Sequence, residues 1–341
     1  MTGSRRPTLS DVAHEVGVSA KTVSRVLNDD GPTSARTREK VMEAVNRLGF
    51  QPNLMARNMR RGSPDSTIGL VVPDMGNPFF GTVAGGIEDA VRERGLTLLM
   101  GSSAEDPARE RALIETFLSR RVSALVVVPS VGAHHDYLGG ASSGPPVVFL
   151  DRPGSGLATD RVVSSNRSGA QEGTAHLLAA GHRRIGFIGD LPAGLYTRRE
   201  RLAGYRAALA GAGVPYDRNL VASGHDQSAS AAAAEGLLDL AEPPTALLAG
   251  NNFTAMGAVT ALARRRRKDI ALVAFDDLPL AEILEPPLTV IAQDPAALGA
   301  AAARTVLARL DGDRTRPRAE VVPTRLVLRG SGELPPAAGA G

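Results

Sequence analysis

Lys21 and Arg25 stand four residues apart, one helical turn, with Thr22 and Ser24 between them and Asn28 one turn further on. A guanidinium can donate to both acceptors of a guanine edge, and an ammonium can reach a guanine or a phosphate. Short hydroxyl and amide side chains suit phosphate oxygens. Together they suit a helix lying in the major groove of DNA, with Ser19 and Ala20 at its entry. The plainer alternative is a surface helix whose charges are simply solvated.

Such side chains need a short helix held at a fixed angle. Ser10 is a candidate cap for a helix over Asp11–Val16 that ends at Gly17, and Ser19 for a second running through Leu27. Only Gly17-Val18 separates them, the tight corner of a helix-turn-helix. Val12, Ala13, Val16, Val18, Val23, Val26 and Leu27 supply a shared core. A third helix, from Ala35 to about Leu48, is capped by Ser34, ended by Gly49, and closes that core with Val41, Val45 and Leu48. Behind Asn53 lies a run of about two turns, too short to be stable alone in water. A Gly/Ser/Pro stretch from Gly62 to Ser66 then reads as a linker.

Charge separates this module from the rest. Residues 1–62 hold eleven Lys/Arg against six Asp/Glu, whereas the whole 341-residue chain is only +3. A basic module on a nearly neutral body suits nucleic acid. With no cysteine, disulfides, thiolate metal sites and cysteine nucleophiles are excluded. No phosphate-loop lysine, His-Glu-x-x-His or Gly-x-Ser-x-Gly motif occurs, and His134-His135 reads as a loop detail, so no enzyme, cofactor or metal is expected. No apolar stretch reaches the length of a membrane span and the start lacks a signal peptide, which points to a cytoplasmic protein with no membrane partner.

From Ile68 onward apolar runs alternate with amphipathic helices. Strands are expected at Ile68–Pro73, Leu96–Met100, Ala124–Val128, Val147–Leu150, Arg184–Ile188, Leu220–Ala222, Ala246–Leu248 and Ile270–Phe275. Helices fall among them. This rhythm predicts parallel sheets covered by helices, with too many units for one sheet and therefore two α/β lobes. Ligands in such folds bind at the carboxyl ends of the strands. The Gly/Pro/Ala-rich end, 332–341, is expected to be disordered.

The run Thr8-Leu9-Ser10-Asp11-Val12-Ala13, with Gly17-Val18-Ser19-Ala20-Lys21-Thr22-Val23-Ser24-Arg25-Val26-Leu27-Asn28 behind it, resembles the lactose-repressor (LacI/GalR) family of bacterial transcription regulators. Asn77-Pro78-Phe79-Phe80, Asp151-Arg152, Gly181-His182-Arg183-Arg184-Ile185, Arg201-Leu202-Ala203-Gly204-Tyr205, Phe275-Asp276-Asp277 and Pro287-Leu288-Thr289 continue the likeness over nearly the whole chain. The resemblance implies three parts. Residues 1–62 would be a helix-turn-helix domain with a hinge helix, and 66–331 a periplasmic-binding-protein-like effector and dimerisation domain. Its lobe 1 would span about 66–163 and 295–322, its lobe 2 about 164–292 and 323–331, before the tail.

It also implies a homodimer on a palindromic operator, with a sugar-like effector between the lobes. Thr37, Asn53, Ala56 and Met59 would join Ser19, Ala20, Lys21, Thr22, Ser24, Arg25 and Asn28 on DNA. Met59 stands where relatives have a leucine wedge for the minor groove. Asp151, Arg201, Asn251 and Asp276 match residues that hold sugar hydroxyls, a task that suits carboxylate acceptors and guanidinium and amide donors. Asp276 could instead cap a helix, and Phe79 and Phe80 either line the pocket or pack. Ser165-Asn166 replaces Asp-Asn, Arg264–Lys268 replaces a Gly/Pro turn, and no aromatic stands near Gly224-His225-Asp226.

The expected function is therefore an effector-controlled regulator, a repressor of carbohydrate-use genes. Its rivals are a transport-type solute-binding protein, disfavoured by the basic module, and a DNA-binding regulator indifferent to any effector.

Overall fold

A computed structural model describes residues 7–28, 30–50, 66–139 and 144–337. Contacts divide the chain into two units, Met1–Asp65 and Ser66–Gly341.

The first unit holds α1 (Leu9–Val16), α2 (Ala20–Asn28) and α3 (Ala35–Leu48). α1 starts two residues earlier than Ser10 would allow. Thr8 is its cap, accepting from the Asp11 N–H while the Asp11 carboxylate takes the Thr8 N–H at 2.7 Å. That reciprocal pair satisfies two backbone donors, which a lone Ser10 cap cannot do. Gly17 (φ 70°) and Gly49 (φ 63°) end α1 and α3 in the left-handed region. Val12, Ala13, Val23, Val26, Val41, Ala44, Val45 and Phe50 form the core, with Val16, Val18, Leu27 and Leu48 packed around it.

The second unit has two six-stranded sheets. The first runs β11 (Ala319–Val322), β5 (Asp160–Ser164), β4 (Val147–Leu150), β3 (Ala124–Val127), β1 (Thr67–Val72) and β2 (Thr97–Ser102), all parallel. The second runs β12 (Arg325–Val327), β10 (Thr289–Ala292), β9 (Ala271–Phe275), β8 (Ala246–Ala249), β6 (Ile185–Gly189) and β7 (Val221–Ser223), parallel except for β12. β1, β3, β4, β6, β8 and β9 are almost wholly buried, which is why they read as unbroken apolar runs.

α4 (Pro78–Arg92), α5 (Pro107–Ser119) and α10 (Pro295–Leu310) accompany the first sheet, and α6 (Asn166–Ala179), α7 (Tyr196–Gly211), α8 (Gln227–Leu238) and α9 (Asn252–Arg264) the second. α4, α5 and α10 all begin the same way: Asn77, Asp106 or Asp294 caps and a proline follows. The capping oxygen takes an orphan N–H, and the proline has none to leave unpaired. α4 and α10 cross so closely that a Cβ on Gly86 or Gly299 would overlap the other helix's backbone. The chain passes between the sheets three times, after β5, after β10 and after β11.

β5, β10, α10, β11 and β12 go beyond the elements expected from sequence. β5 opens on Asp160-Arg161 and β11 is largely exposed, so neither shows an apolar run. The disordered tail is corrected in part. Over 332–337 the chain lies against the second lobe: Leu334 packs on its core, the Leu334 carbonyl meets His182 Nε2 at 2.8 Å, and Glu333 pairs with His176 at 2.6 Å. One leucine and a few backbone partners outweigh the composition of this stretch; residues 338–341 lie outside those described. His135 is fully buried, its Nε2 2.7 Å from Glu110, and the described residues hold no metal-binding cluster. In the run that ends and follows α9, Arg264, Arg265 and Arg267 pair with Glu235, Asp239 and Asp269 on the surface.

Candidate functional site

The expected site residues fall in two groups, one in each unit. In the first unit, Ser19 caps α2 by accepting from the Thr22 N–H at 3.1 Å, and the two hydroxyls lie 2.9 Å apart. The apolar side of α2 is turned into the core by Val23 and Val26. Ala20, Lys21 and Arg25 are left exposed, with Thr22 and Ser24 half-buried at the margins. Thr37 sits at the start of α3, its N–H on Ser34 Oγ at 3.1 Å. Asn28 ends α2. Asn53, Ala56 and Met59, with the hinge helix expected at 53–60, lie outside the described residues.

In the second unit the four expected cleft residues converge. Asp151 follows β4 and Asp276 follows β9, at the carboxyl ends of strands in the two sheets. Both take positive φ, 63° and 73°, a region aspartate tolerates better than most residues. Each is fixed by its own N–H, donated to Val162 O (2.8 Å) or Ile291 O (3.0 Å) on the next strand.

Arg201, only 4% exposed, reaches in from α7. Its Nε donates to Asn166 Oδ1 at 2.8 Å, one terminal nitrogen donates to Gly250 O at 2.6 Å, and its guanidinium lies 3.7 Å above the Phe275 ring centroid. Burial lowers its pKa, opposed by the charges of Asp276, Asp151 and Asp190. Burial likewise raises the pKa of Asp151, opposed by Arg152 and Arg201. Asp151 is 5% exposed, and its side chain's nearest ionic partner is Arg152 Nε at 3.4 Å. A buried carboxylate so thinly supplied with donors has acceptor capacity for a ligand.

Asn251 caps α9 with its oxygen and donates its amide to Asp190 at 3.0 Å. Asp190 also meets His225 Nδ1 at 3.1 Å. For His225, burial lowers the pKa, but the Asp190 hydrogen bond and charge and the Glu105 charge outweigh it and leave the pKa raised. Asp276 both caps and faces the cleft residues, accepting from the Asn252 N–H at 3.1 Å and from Gln293 Nε2 at 2.5 Å.

Phe80, 5% exposed, takes the packing alternative, with Val83 and Ile87 in the first lobe's core. Phe79 is half-buried, edge-on to it at 5.2 Å. Arg152 serves structure, bound to Glu105 at 2.6 Å and to Pro129 O at 3.1 Å. Asn166, Asp190, Phe275 and Gln293 complete the set and were not expected there. Asp190 had one legible signal, a polar residue just past an expected strand; the strand before Gln293 was not among those expected.

The comparisons agree with this construction. Residues 8–53 match the model for bacterial regulatory proteins of the lacI family, and 174–332 match a periplasmic binding protein-like domain. The chain is 34% identical over 335 residues to the HTH-type transcriptional regulator DegA of Bacillus subtilis (strain 168), covering 96% of this chain and 98% of that one. It superposes on the lac repressor dimer bound to operator and the anti-inducer ONPF with TM-score 0.83 and 26% identity, covering 96% and 99%. It superposes on the CelR–cellobiose complex with TM-score 0.70 and 31% identity, covering 96% and 100%. A reading helix on a helix-turn-helix, followed by a two-lobed ligand-binding body, places the chain in the lacI family of bacterial regulatory proteins: it is a DNA-binding transcription regulator with an effector domain.

Proposed function

We propose that this regulator represses carbohydrate-use genes and that an uncharged, polyhydroxylated small molecule held between the lobes controls it. The observation that carries the ligand class is the surroundings of Arg201. Its charge is met by three carboxylates, Asp276, Asp151 and Asp190, and Arg152 is taken up by Glu105. The cleft therefore offers acceptors and an already compensated cation, which suit hydroxyls better than a phosphate. Asp151, Arg201, Asn251 and Asp276 hold the ligand, and Phe79 lies against it. The cellobiose in the CelR complex supports a saccharide.

Lys21 and Arg25 read base edges, while Ser19, Thr22, Ser24, Asn28 and Thr37 hold phosphates. Ala20 lies against the groove, and Asn53, Ala56 and Met59 carry the hinge contacts. The lac repressor dimer on its operator supports a homodimer on a palindrome. On the second lobe Leu280 and Ile283 are 69% and 72% exposed, apolar surface a second copy would cover. Among the described residues no helix is long and apolar enough to cross a membrane; a DNA partner supports a cytoplasmic regulator.

A thermal-shift screen of the full chain against neutral sugars, sugar phosphates and nucleosides tests the ligand class. A ligand at 100 times its Kd adds about 2.7 kcal/mol of stability, so a neutral sugar should raise Tm by several degrees. A rise with sugar phosphates alone would contradict the reading.

A further inference from the structure

We infer that Asn77 and Asn252 form a clasp that holds the lobes together, and that Asn77 is a positioning residue for the cleft although it carries none of the ligand-binding groups. Asn77 caps α4 in the first lobe and Asn252 opens α9 in the second. Asn252 Nδ2 donates to Asn77 Oδ1 at 2.7 Å, and Asn77 Nδ2 lies 3.4 Å from Asn252 Oδ1, a weaker return bond.

The chemistry fixes which way the amides face. Asn77 Oδ1 must accept, because it also takes the Phe79 N–H at 3.0 Å. Asn252 Oδ1 takes the Phe253 N–H at 2.9 Å, so its nitrogen is the end turned to Asn77. Neither amide can rotate without leaving a helix-start N–H unpaired, and Asn252 is only 5% exposed.

The clasp joins the cleft at one further step. The Asn252 N–H is held by the Asp276 carboxylate at 3.1 Å. A continuous path runs from Asp276 through Asn252 and Asn77 to the first turn of α4. Three short connections between the lobes form the hinge side, where Ser165 and Thr324 hydroxyls lie 2.9 Å apart. The asparagine pair is a direct side-chain link outside those three connections. Both partners are uncharged, so the clasp closes the lobes without adding charge beside Asp276. Its consequence for effector affinity rests on the function proposed above; the clasp itself does not.

The test needs no ligand. The chain has no cysteine, so Glu93→Cys in the first lobe and Arg218→Cys in the second, both exposed, take spin labels specifically. Dilution with unlabelled protein isolates distances within one chain. Asn252→Asp turns a donor into an acceptor facing Asn77 Oδ1, and Asn252→Ala removes the amide without adding charge. Each should raise the ratio of long to short lobe–lobe distances about fivefold, equivalent to one net hydrogen bond of about 1 kcal/mol. Asn77→Asp keeps both acceptor contacts and should leave the parent distribution. Unaltered distances in both Asn252 variants would overturn the clasp, as would Asn77→Asp opening the lobes as much as Asn252→Asp. Failure of the saccharide reading would leave these distances unmoved.

Discussion

Asp151 and Asp276 occupy equivalent places in the two lobes. Each is the first residue past a parallel strand, holds φ near +70° (63° and 73°), and gives its N–H to the next strand over. The strained turn directs a carboxylate away from the sheet end, and Arg201 answers both charges. Strain of roughly 1–3 kcal/mol at each position is tolerated where burial and strand pairing fix the backbone. In the function proposed above, the ligand would be held by two matching corners, one on each lobe, so that its binding senses the lobe arrangement.

Asp151→Asn keeps the shape and the tolerated backbone region but removes a buried charge. Burial raises the pKa of this carboxyl, so the amide should leave Tm unchanged or higher. Ligand binding should weaken at least about tenfold, the loss of one charged acceptor being about 1.5–3 kcal/mol. Calorimetric titration with the sugar found in the thermal screen measures the affinity, and a thermal scan of the variant measures Tm.

Arg25→Ala should weaken binding to a selected operator by about 1–3 kcal/mol, roughly 5- to 150-fold, if the guanidinium is bidentate to guanine. Binding to random DNA should change much less. Arg25 is exposed on a helix whose opposite side is core, so stability should hold. Fluorescence anisotropy on both DNAs gives the comparison.

His182 has no exposed surface and lies between Thr245 Oγ1 (2.9 Å) and the Leu334 carbonyl (2.8 Å). Burial lowers its pKa below 6.5, against the carbonyl's pull. Between the lowered folded value and 6.5 the unfolded chain binds more protons, so this contribution is complete above pH 6.5 and fades as pH falls below it. His182→Gln should reduce the loss of urea stability between pH 7.5 and 5.5, measured by the denaturation midpoint.

Removing residues 333–341 should destabilise the second lobe, although the stretch reads as a loose tail. It takes away Leu334, the Leu334 carbonyl and the Glu333 carboxylate that accepts from Thr289 Oγ1 at 2.8 Å. The cost is about 2–3 kcal/mol from one half-buried leucine and the orphaned partners, read as a lower urea midpoint.

Much of this was legible because buried parallel strands write themselves as apolar runs; β3 (Ala124–Val127) and β4 (Val147–Leu150) are examples. β11 carries Glu320 on an exposed edge and gives no such signal. Asp294-Pro295 was a readable start for α10, the same cap-and-proline pair that opens α4. In the cleft, residue type marked Asp151, Arg201, Asn251 and Asp276 as polar groups beside strands. Nothing local tied Arg201 to Asn166, thirty-five positions away, or Asn77 to Asn252. Those pairings come from sheet order. Phe79 and Phe80 were indistinguishable by type, and only the helix phase of α4 sends Phe80 into the core.

The most direct measurement is operator affinity with and without ligand. An operator selected from random duplexes is titrated with the full chain, alone and with the best sugar at 100 times its Kd. A shift in operator Kd of roughly 5- to 150-fold is expected, the usual span of allosteric coupling, and Asp151→Asn should need at least about tenfold more sugar to reach it. Equal operator Kd values with the cleft saturated would contradict this expectation.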